Sequence, residues 1–148
     1  MFLLLSFIGI LIGILISKYT KEELIPGKKY FLIIERICLL LIAVILVYNY
    51  KLSYTIIIGL ILGYFLSIEY FFFSLVIIAT NNLLISLIVF IYGLPYGSLI
   101  KTKKVLKEFI LFIIPITLLL TNLNLTNEIV SLSVGYLFMR GVNWKFKT

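Results

Sequence analysis

Two stretches of the chain share one skeleton: GILIGILIS at Gly9–Ser17 and GLILGYFLS at Gly59–Ser67. In each stretch a glycine is followed four residues later by a second glycine, and four residues after that by a serine. Residues four apart lie on one face of a helix, and small residues on such a face let the backbones of two membrane helices approach closely. We therefore predict that the first and third helices pack tightly against other helices. Packing of these two helices on each other is one arrangement that the pattern allows. The predicted packing residues are Gly9, Gly13, Ser17, Gly59, Gly63 and Ser67.

The composition indicates the broad class of protein. Of the 148 residues, 63% are hydrophobic and 13% are charged, and the mean hydropathy is +1.22. A soluble domain is nearer half apolar, because it needs a polar shell around its core. The apolar residues also fall in long runs with few charges, as they do in transmembrane helices. The sequence therefore predicts an integral membrane protein with no soluble domain.

Six apolar segments divide the chain, and we expect residues 1–148 to form a single transmembrane domain. The predicted fold class is all-α, a polytopic integral membrane helix bundle of six transmembrane helices in three hairpins. The expected spans are 2–17, 31–48, 52–68, 70–92, 105–121 and 129–139. Tyrosines and lysines cluster at the ends of these spans, as is typical of membrane interfaces. The first segment lacks a basic region before it and a small-residue cleavage site after it, so we interpret it as a retained span.

The connections between spans differ in how clearly the sequence marks them. Glycine and proline predict a loop over residues 18–30, with its turn at Pro26–Gly27, and a second loop over residues 93–104, marked by Gly93, Pro95 and Gly97. Between the third and fourth spans we favour a turn at Glu69, because the two glycine stretches then begin two similar hairpins. The alternative is a turn at Thr80–Asn82, which leaves too few apolar residues for a span unless the helix continues past the later proline. Five crossings with a re-entrant stretch within 70–97 are a further alternative.

The charged residues mostly flank the apolar segments. The chain has 13 basic and six acidic residues and a formal net charge of +7. Basic residues beside spans set orientation and contact anionic headgroups, and since no basic domain lies outside the spans we expect no nucleic-acid partner. Their distribution favours a multi-pass protein of the cell membrane with both termini in the cytoplasm. The densest lysine cluster predicts a contact with anionic lipid headgroups: Lys101, Lys103, Lys104 and Lys107.

Several residue types that common reactions need are missing. The sequence has no histidine, and all six acidic residues are glutamates. This excludes Ser-His-Asp and Cys-His catalysis, paired-aspartate proteolysis and histidine metal sites. The single cysteine, Cys38, excludes an internal disulfide and a cysteine metal cluster. We therefore expect no enzyme activity, no cofactor and no metal site.

Ionisable and polar residues within the apolar segments are the candidate functional residues, because charge at membrane depth is costly unless it is paired or faces water. The candidate polar path consists of Glu35, Arg36, Glu69, Asn81 and Asn82. At a hairpin tip Glu69 is a solvated charge, which we favour; inside a longer helix it is a buried carboxylate and a cation or proton site. Glu35 and Arg36 lie close enough to the membrane surface for their side chains to extend to the headgroups. Hydrogen bonding between helices is the simpler role for the two asparagines.

Three classes of function are consistent with these observations. The favoured class is a non-catalytic membrane protein, either a homo-oligomer or the small subunit of a membrane complex, because of the glycine faces and short loops. The alternative is a small transporter or channel for an ion or small solute, which would use the polar path. The third class is a glutamate-dependent enzyme acting on lipid, which no feature of the sequence contradicts and none supports.

Overall fold

The structure is a computed structural model, and it describes residues 2–100, 102–118 and 126–143. Within these ranges the chain forms seven helices and no strand, so the prediction of an all-α protein is confirmed. In chain order the helices are α1 (Phe2–Tyr19), α2 (Lys21–Asn49), α3 (Thr55–Phe65), α4 (Glu69–Thr80), α5 (Leu83–Leu99), α6 (Thr102–Leu118) and α7 (Thr126–Val142).

Helix α2 is longer than the predicted second span. It begins at Lys21 and runs through Pro26 without a break, so the predicted turn at Pro26–Gly27 is wrong. Pro26 is only the sixth residue of the helix, where the missing N–H removes one hydrogen bond close to the helix start. The 29 residues of α2 extend over about 44 Å at 1.5 Å per residue.

The predicted fourth span, residues 70–92, is two helices. Helix α4 ends at Asn81, which has a φ of 46° and whose N–H donates to the carbonyl oxygen of Ile77. Helix α5 begins after Asn82, whose side-chain oxygen accepts from the N–H of Leu84 at 2.9 Å. The chain also leaves helical geometry between α3 and α4, at residues 66–68. Both turns considered from the sequence, at Glu69 and at Thr80–Asn82, are therefore present.

Most of the predicted loop over residues 93–104 is wrong, because α5 continues to Leu99 and α6 begins at Thr102. Gly93, Pro95 and Gly97 are all buried in the helix. A Cβ atom on Gly93 would lie 2.8 Å from the backbone of Gly9, so α1 and α5 touch at their backbones here. Tertiary packing overrides the weak local preference of glycine and proline.

The glycine faces of α1 and α3 both pack on helices of the same chain, but on different ones. Gly9 and Gly13 lie against the carbonyl groups of Phe90 and Leu94 on α5. On the other side of the molecule, α3 packs on α7 in the same way. Gly59 lies against Leu132, and a Cβ atom on Gly63 would lie 2.6 Å from the carbonyl oxygen of Tyr136.

The two serines of the repeated skeleton lie in different surroundings. Ser17 lies in α1, where its hydroxyl donates to the carbonyl oxygen of Ile14 at 2.8 Å. Ser67 lies beyond the end of α3 and is exposed, so its predicted place on a helix face is wrong. The stripe of small residues on α3 therefore ends at Gly63.

Helix α4 lies at the centre of the bundle. Helix α2 contacts both α5 and α7, whereas α4 contacts α6 and α7. From Glu69 to Ile77, all residues of α4 except the half-buried Phe71 are buried, so this short helix is enclosed on all sides.

One helix in the described part of the chain is long and apolar enough to cross a membrane, the segment Pro26–Asn49 of α2. The apolar helices α1, α3, α4 and α5 are shorter. Many large apolar side chains on α1, α2, α3, α5 and α6 are exposed. Of the predicted headgroup contacts, Lys104 and Lys107 are exposed on α6, Lys101 lies outside the described residues, and so does the side chain of Lys103.

Candidate functional site

Charged residues from three helices surround a small internal cavity of about 20 Å³, a volume that fits a single water molecule or a small ion. The cavity lies where α2, α4 and α7 meet. Its lining residues are Leu32, Glu35, Arg36, Leu39, Glu69, Arg140 and Asn143. We refer to this feature as the charged cavity.

A buried ion pair forms one wall of the charged cavity. Glu69 begins α4 and is 2% exposed, and Arg140 lies near the end of α7 and is 9% exposed. The Arg140 Nε atom donates to Glu69 Oε1 at 3.0 Å, and Nη2 donates to the same oxygen. A carboxylate at the first residue of a helix also interacts favourably with the helix dipole. Both interactions offset part of the cost of burying Glu69 in an apolar interior.

The break between α3 and α4 is what brings Glu69 to this place. The hydroxyl of Tyr136 on α7 accepts from the N–H of Ile68 at 2.8 Å and donates to the carbonyl oxygen of Leu66 at 3.3 Å. The Tyr136 ring stacks on Phe72 with ring centroids 3.8 Å apart. Tyr136 and Arg140 are four residues apart and lie on one face of α7. The same face of α7 therefore binds both the linker at residues 66–68 and the carboxylate of Glu69, which follows the linker.

Two further charged residues come from α2. Glu35 is 2% exposed, although it was predicted to extend to the headgroups, and Arg36 is half-buried. The favoured prediction for Glu69, a solvated charge at a hairpin tip, is also wrong. The turn lies next to Glu69 as predicted, and Leu66 and Ser67 within it are exposed, but the Glu69 side chain is buried in the bundle and pairs with Arg140.

The two asparagines of the predicted polar path lie away from the charged cavity. Asn81 and Asn82 connect α4 to α5, at the opposite end of α4 from Glu69. Asn81 is exposed in the left-handed conformation, and Asn82 caps α5. Their polar groups shape a turn, so of the five predicted residues the structure brings together three: Glu35, Arg36 and Glu69.

A second polar group joins α4, α5 and α6. The hydroxyl of Tyr96 donates to Glu108 Oε1 at 2.8 Å, and Glu108 is 4% exposed. The rings of Tyr70 and Tyr92 pack against that of Tyr96, at centroid distances of 5.4 Å and 5.5 Å. We refer to Tyr70, Tyr92, Tyr96 and Glu108 as the tyrosine cluster.

Arg140 and Glu108 were not predicted as site residues. Both lie near the ends of apolar segments, where they resemble the charges that flank the predicted spans. Tyr92 and Tyr96 were interpreted as interfacial aromatics, yet Tyr92 is fully buried. Arg140 does carry a usable signal, since it is the only charge between Glu128 and Lys145 and it is followed directly by a glycine.

The site offers carboxylate, guanidinium and phenol groups. Among the described residues, no group of three or more histidine, cysteine, aspartate or glutamate side chains is arranged to hold a metal ion. Comparison of the chain with protein-family models, with curated proteins and with solved structures gave no match.

Proposed function

We propose that this chain is a multi-pass protein of the cell membrane that binds a small ion at the charged cavity and carries it across the bilayer. The observation that carries the proposal is the group of charges on α2, α4 and α7 around one small cavity: Glu35, Arg36, Glu69 and Arg140. Charged groups within membrane helices are costly, and where they occur they face the bundle interior and mark ion pathways.

The distribution of apolar surface supports the membrane part of this proposal. The exposed faces carry large aliphatic side chains, for example Leu15 on α1, Val44 on α2 and Ile61 on α3, while carboxylates lie inside. A soluble protein has the opposite arrangement. Helices α3 and α4 have 11 and 12 residues and follow one another across a short linker. Two short helices in sequence are typical of the discontinuous helices that form ion sites in transporters.

The glycine faces give less support to the other class of function, a homo-oligomer or the small subunit of a membrane complex. In this fold Gly9 and Gly13 are covered by α5, and Gly59 and Gly63 are covered by α7. A second copy of the chain would find no open glycine stripe on α1 or α3. The charged cavity is therefore the feature on which we base the function.

Ion flux into liposomes tests the proposal. The purified chain is reconstituted, gradients of Na⁺, K⁺ or Cl⁻ are imposed one at a time, and uptake is followed with ion-selective dyes. We expect uptake above that of protein-free liposomes for at least one ion, and a loss of that uptake in Glu35→Gln, which keeps the side-chain shape. Glu128→Gln is the matched control, because Glu128 is exposed at the start of α7.

Two results would contradict the proposal. One is uptake equal to that of protein-free liposomes for all three ions. The other is equal uptake by Glu35→Gln, Glu128→Gln and the parent chain, which would mean that the charged cavity does not take part. Circular dichroism of each variant in detergent shows whether it is folded.

A further inference from the structure

The tyrosine cluster contains buried polar atoms that ordinary packing does not explain. Tyr70 and Tyr92 are fully buried, with ring centroids 6.0 Å apart. Within the described part of the chain, neither hydroxyl has a hydrogen-bond partner, and the same holds for Glu108 Oε2. An unsatisfied buried polar group costs about 1–3 kcal/mol. Three such atoms in one cluster indicate that a small polar molecule satisfies them.

Water is the occupant that fits these three atoms. A phenol hydroxyl both donates and accepts, whereas a carboxylate oxygen accepts only, so the occupant must offer donors and acceptors at once. Buried waters typically make about three hydrogen bonds to polar groups of this kind.

The tyrosine cluster connects two charged regions of the interior. At one end, Tyr96 is hydrogen-bonded to Glu108. The positively charged Lys104 and Lys107 lie near Glu108 on the same helix, α6. At the other end, Tyr70 directly follows Glu69 in α4, and the Tyr70 ring lies 6.0 Å from that of Tyr92, centroid to centroid.

The far end of this arrangement is the charged cavity. The charged groups there are Glu35 and Arg36 on α2, Glu69 on α4 and Arg140 on α7. The tyrosine cluster therefore includes Glu108 on α6 and adjoins, through Tyr70, the residue Glu69 that lines the charged cavity.

We infer that the tyrosine cluster, with buried water, is a proton path from Glu108 to the charged cavity, so that protons are a species this protein moves. The inference rests on the proposed function and deepens it by naming the proton. Along the path each hydroxyl or water accepts one proton on its oxygen as it gives one to the next group. A proton taken up at Glu108 is thus matched by one delivered to a carboxylate of the cavity, and no oxidation or reduction is involved.

Proton uptake into liposomes tests the path. Liposomes that hold the reconstituted chain and a pH-sensitive dye are given a K⁺ gradient with valinomycin, so that a membrane potential drives protons inward. We expect uptake above that of protein-free liposomes. Tyr70→Phe and Tyr92→Phe each remove one hydroxyl and keep the ring, and we expect each to lower the uptake about tenfold, equivalent to a barrier raised by about 1.4 kcal/mol.

A matched control separates the path from general effects of losing a tyrosine. Tyr48→Phe removes a hydroxyl that is exposed at the end of α2, so its proton uptake should equal that of the parent. Thermal unfolding in detergent distinguishes a structural role: if the hydroxyls served only the fold, Tyr92→Phe would change the melting temperature and leave proton uptake unchanged.

The inference is overturned if the parent takes up protons no faster than protein-free liposomes, or if Tyr70→Phe and Tyr92→Phe both match Tyr48→Phe. Its failure is distinguishable from failure of the proposed function. Uptake of Na⁺, K⁺ or Cl⁻ that depends on Glu35, without proton uptake, removes the proton path and leaves the ion site. No uptake of any ion, protons included, removes both.

Discussion

The residue pair Glu69 and Arg140 places two opposite charges in an apolar interior, where each depends on the other. Removing one partner of a buried ion pair costs about 3–5 kcal/mol, because the remaining charge is left uncompensated, whereas replacing both partners together is often tolerated. We therefore expect Arg140→Met to lower the melting temperature strongly and the double variant Glu69→Gln/Arg140→Met to recover most of the loss. Circular dichroism of the detergent-solubilised chain measures both.

Lys104→Met is the control for the loss of a positive charge, since Lys104 is exposed on α6 and should melt like the parent. A double variant less stable than Arg140→Met would mean that Glu69 and Arg140 contribute separately and not as a pair.

At this scale the sequence predicts part of the site. A carboxylate amid apolar residues identifies Glu69, and the turn beside it was expected at the right place. The partner was not predictable, because Arg140 is 71 residues away and only the packing of α4 on α7 brings the two side chains together. Glu35 was recognised as a candidate, but the direction of its side chain depends on which face of α2 contacts α7.

Helix α1 contacts α5, and α3 contacts α7, at glycines, so both contacts depend on positions that carry no side chain. In Gly9→Ala the new methyl group would meet the backbone carbonyl of Phe90, and in Gly59→Ala it would meet that of Leu132. Backbone atoms cannot turn away as a side chain does, so the helices must separate. We expect each substitution to lower the free energy of unfolding by about 1–3 kcal/mol, the usual cost of overpacking, as measured by thermal unfolding in detergent.

Gly27→Ala supplies the control within the same chain. Gly27 also lies in a helix, but a Cβ atom there would meet only the Phe31 ring at an ordinary 3.6 Å. Because alanine favours the helix by about 1 kcal/mol over glycine, this variant should be as stable as the parent or more so. If Gly9→Ala or Gly59→Ala behaves like Gly27→Ala, the close helix contact is not present in solution.

Local signals predict most helices but fail at two kinds of place. Pro26 and the cluster around Pro95 were interpreted as loops, yet α2 and α5 run through them. Pro26 is exposed close to the start of α2, where it removes only one hydrogen bond, whereas Pro95 is buried against packed neighbours. The single predicted span over 70–92 shows the opposite error, because one helix was predicted where the chain forms two. Its apolar run hides the turn at Asn81, whose signal is only a pair of asparagines. Apolar periodicity identifies buried segments, but the partner helices decide where each one begins and ends.

In the described part of the molecule, many large apolar side chains are exposed whereas Glu35, Glu69 and Glu108 are buried, and we expect this arrangement if α2 crosses a bilayer. The exposed residue Tyr19 ends α1 two residues before α2 begins, and Tyr48 lies near the other end of α2, with 83% and 89% of their surface accessible. In a Cys38→Ala background, single cysteines at these two positions should react with a membrane-impermeant maleimide on opposite sides of the membrane. With the amino terminus in the cytoplasm, Tyr19→Cys reacts in intact cells and Tyr48→Cys only after permeabilisation.

Tyr54→Cys provides the matched control for this labelling, because Tyr54 is 92% exposed and follows the end of α2, so it should behave like Tyr48→Cys. The reverse pattern at Tyr19 and Tyr48 would keep the crossing and invert the orientation. Labelling of both positions from the same side would mean that α2 does not span the membrane. In that case Glu35 and Arg36 could not lie within the bilayer, and the charged cavity could not connect its two faces.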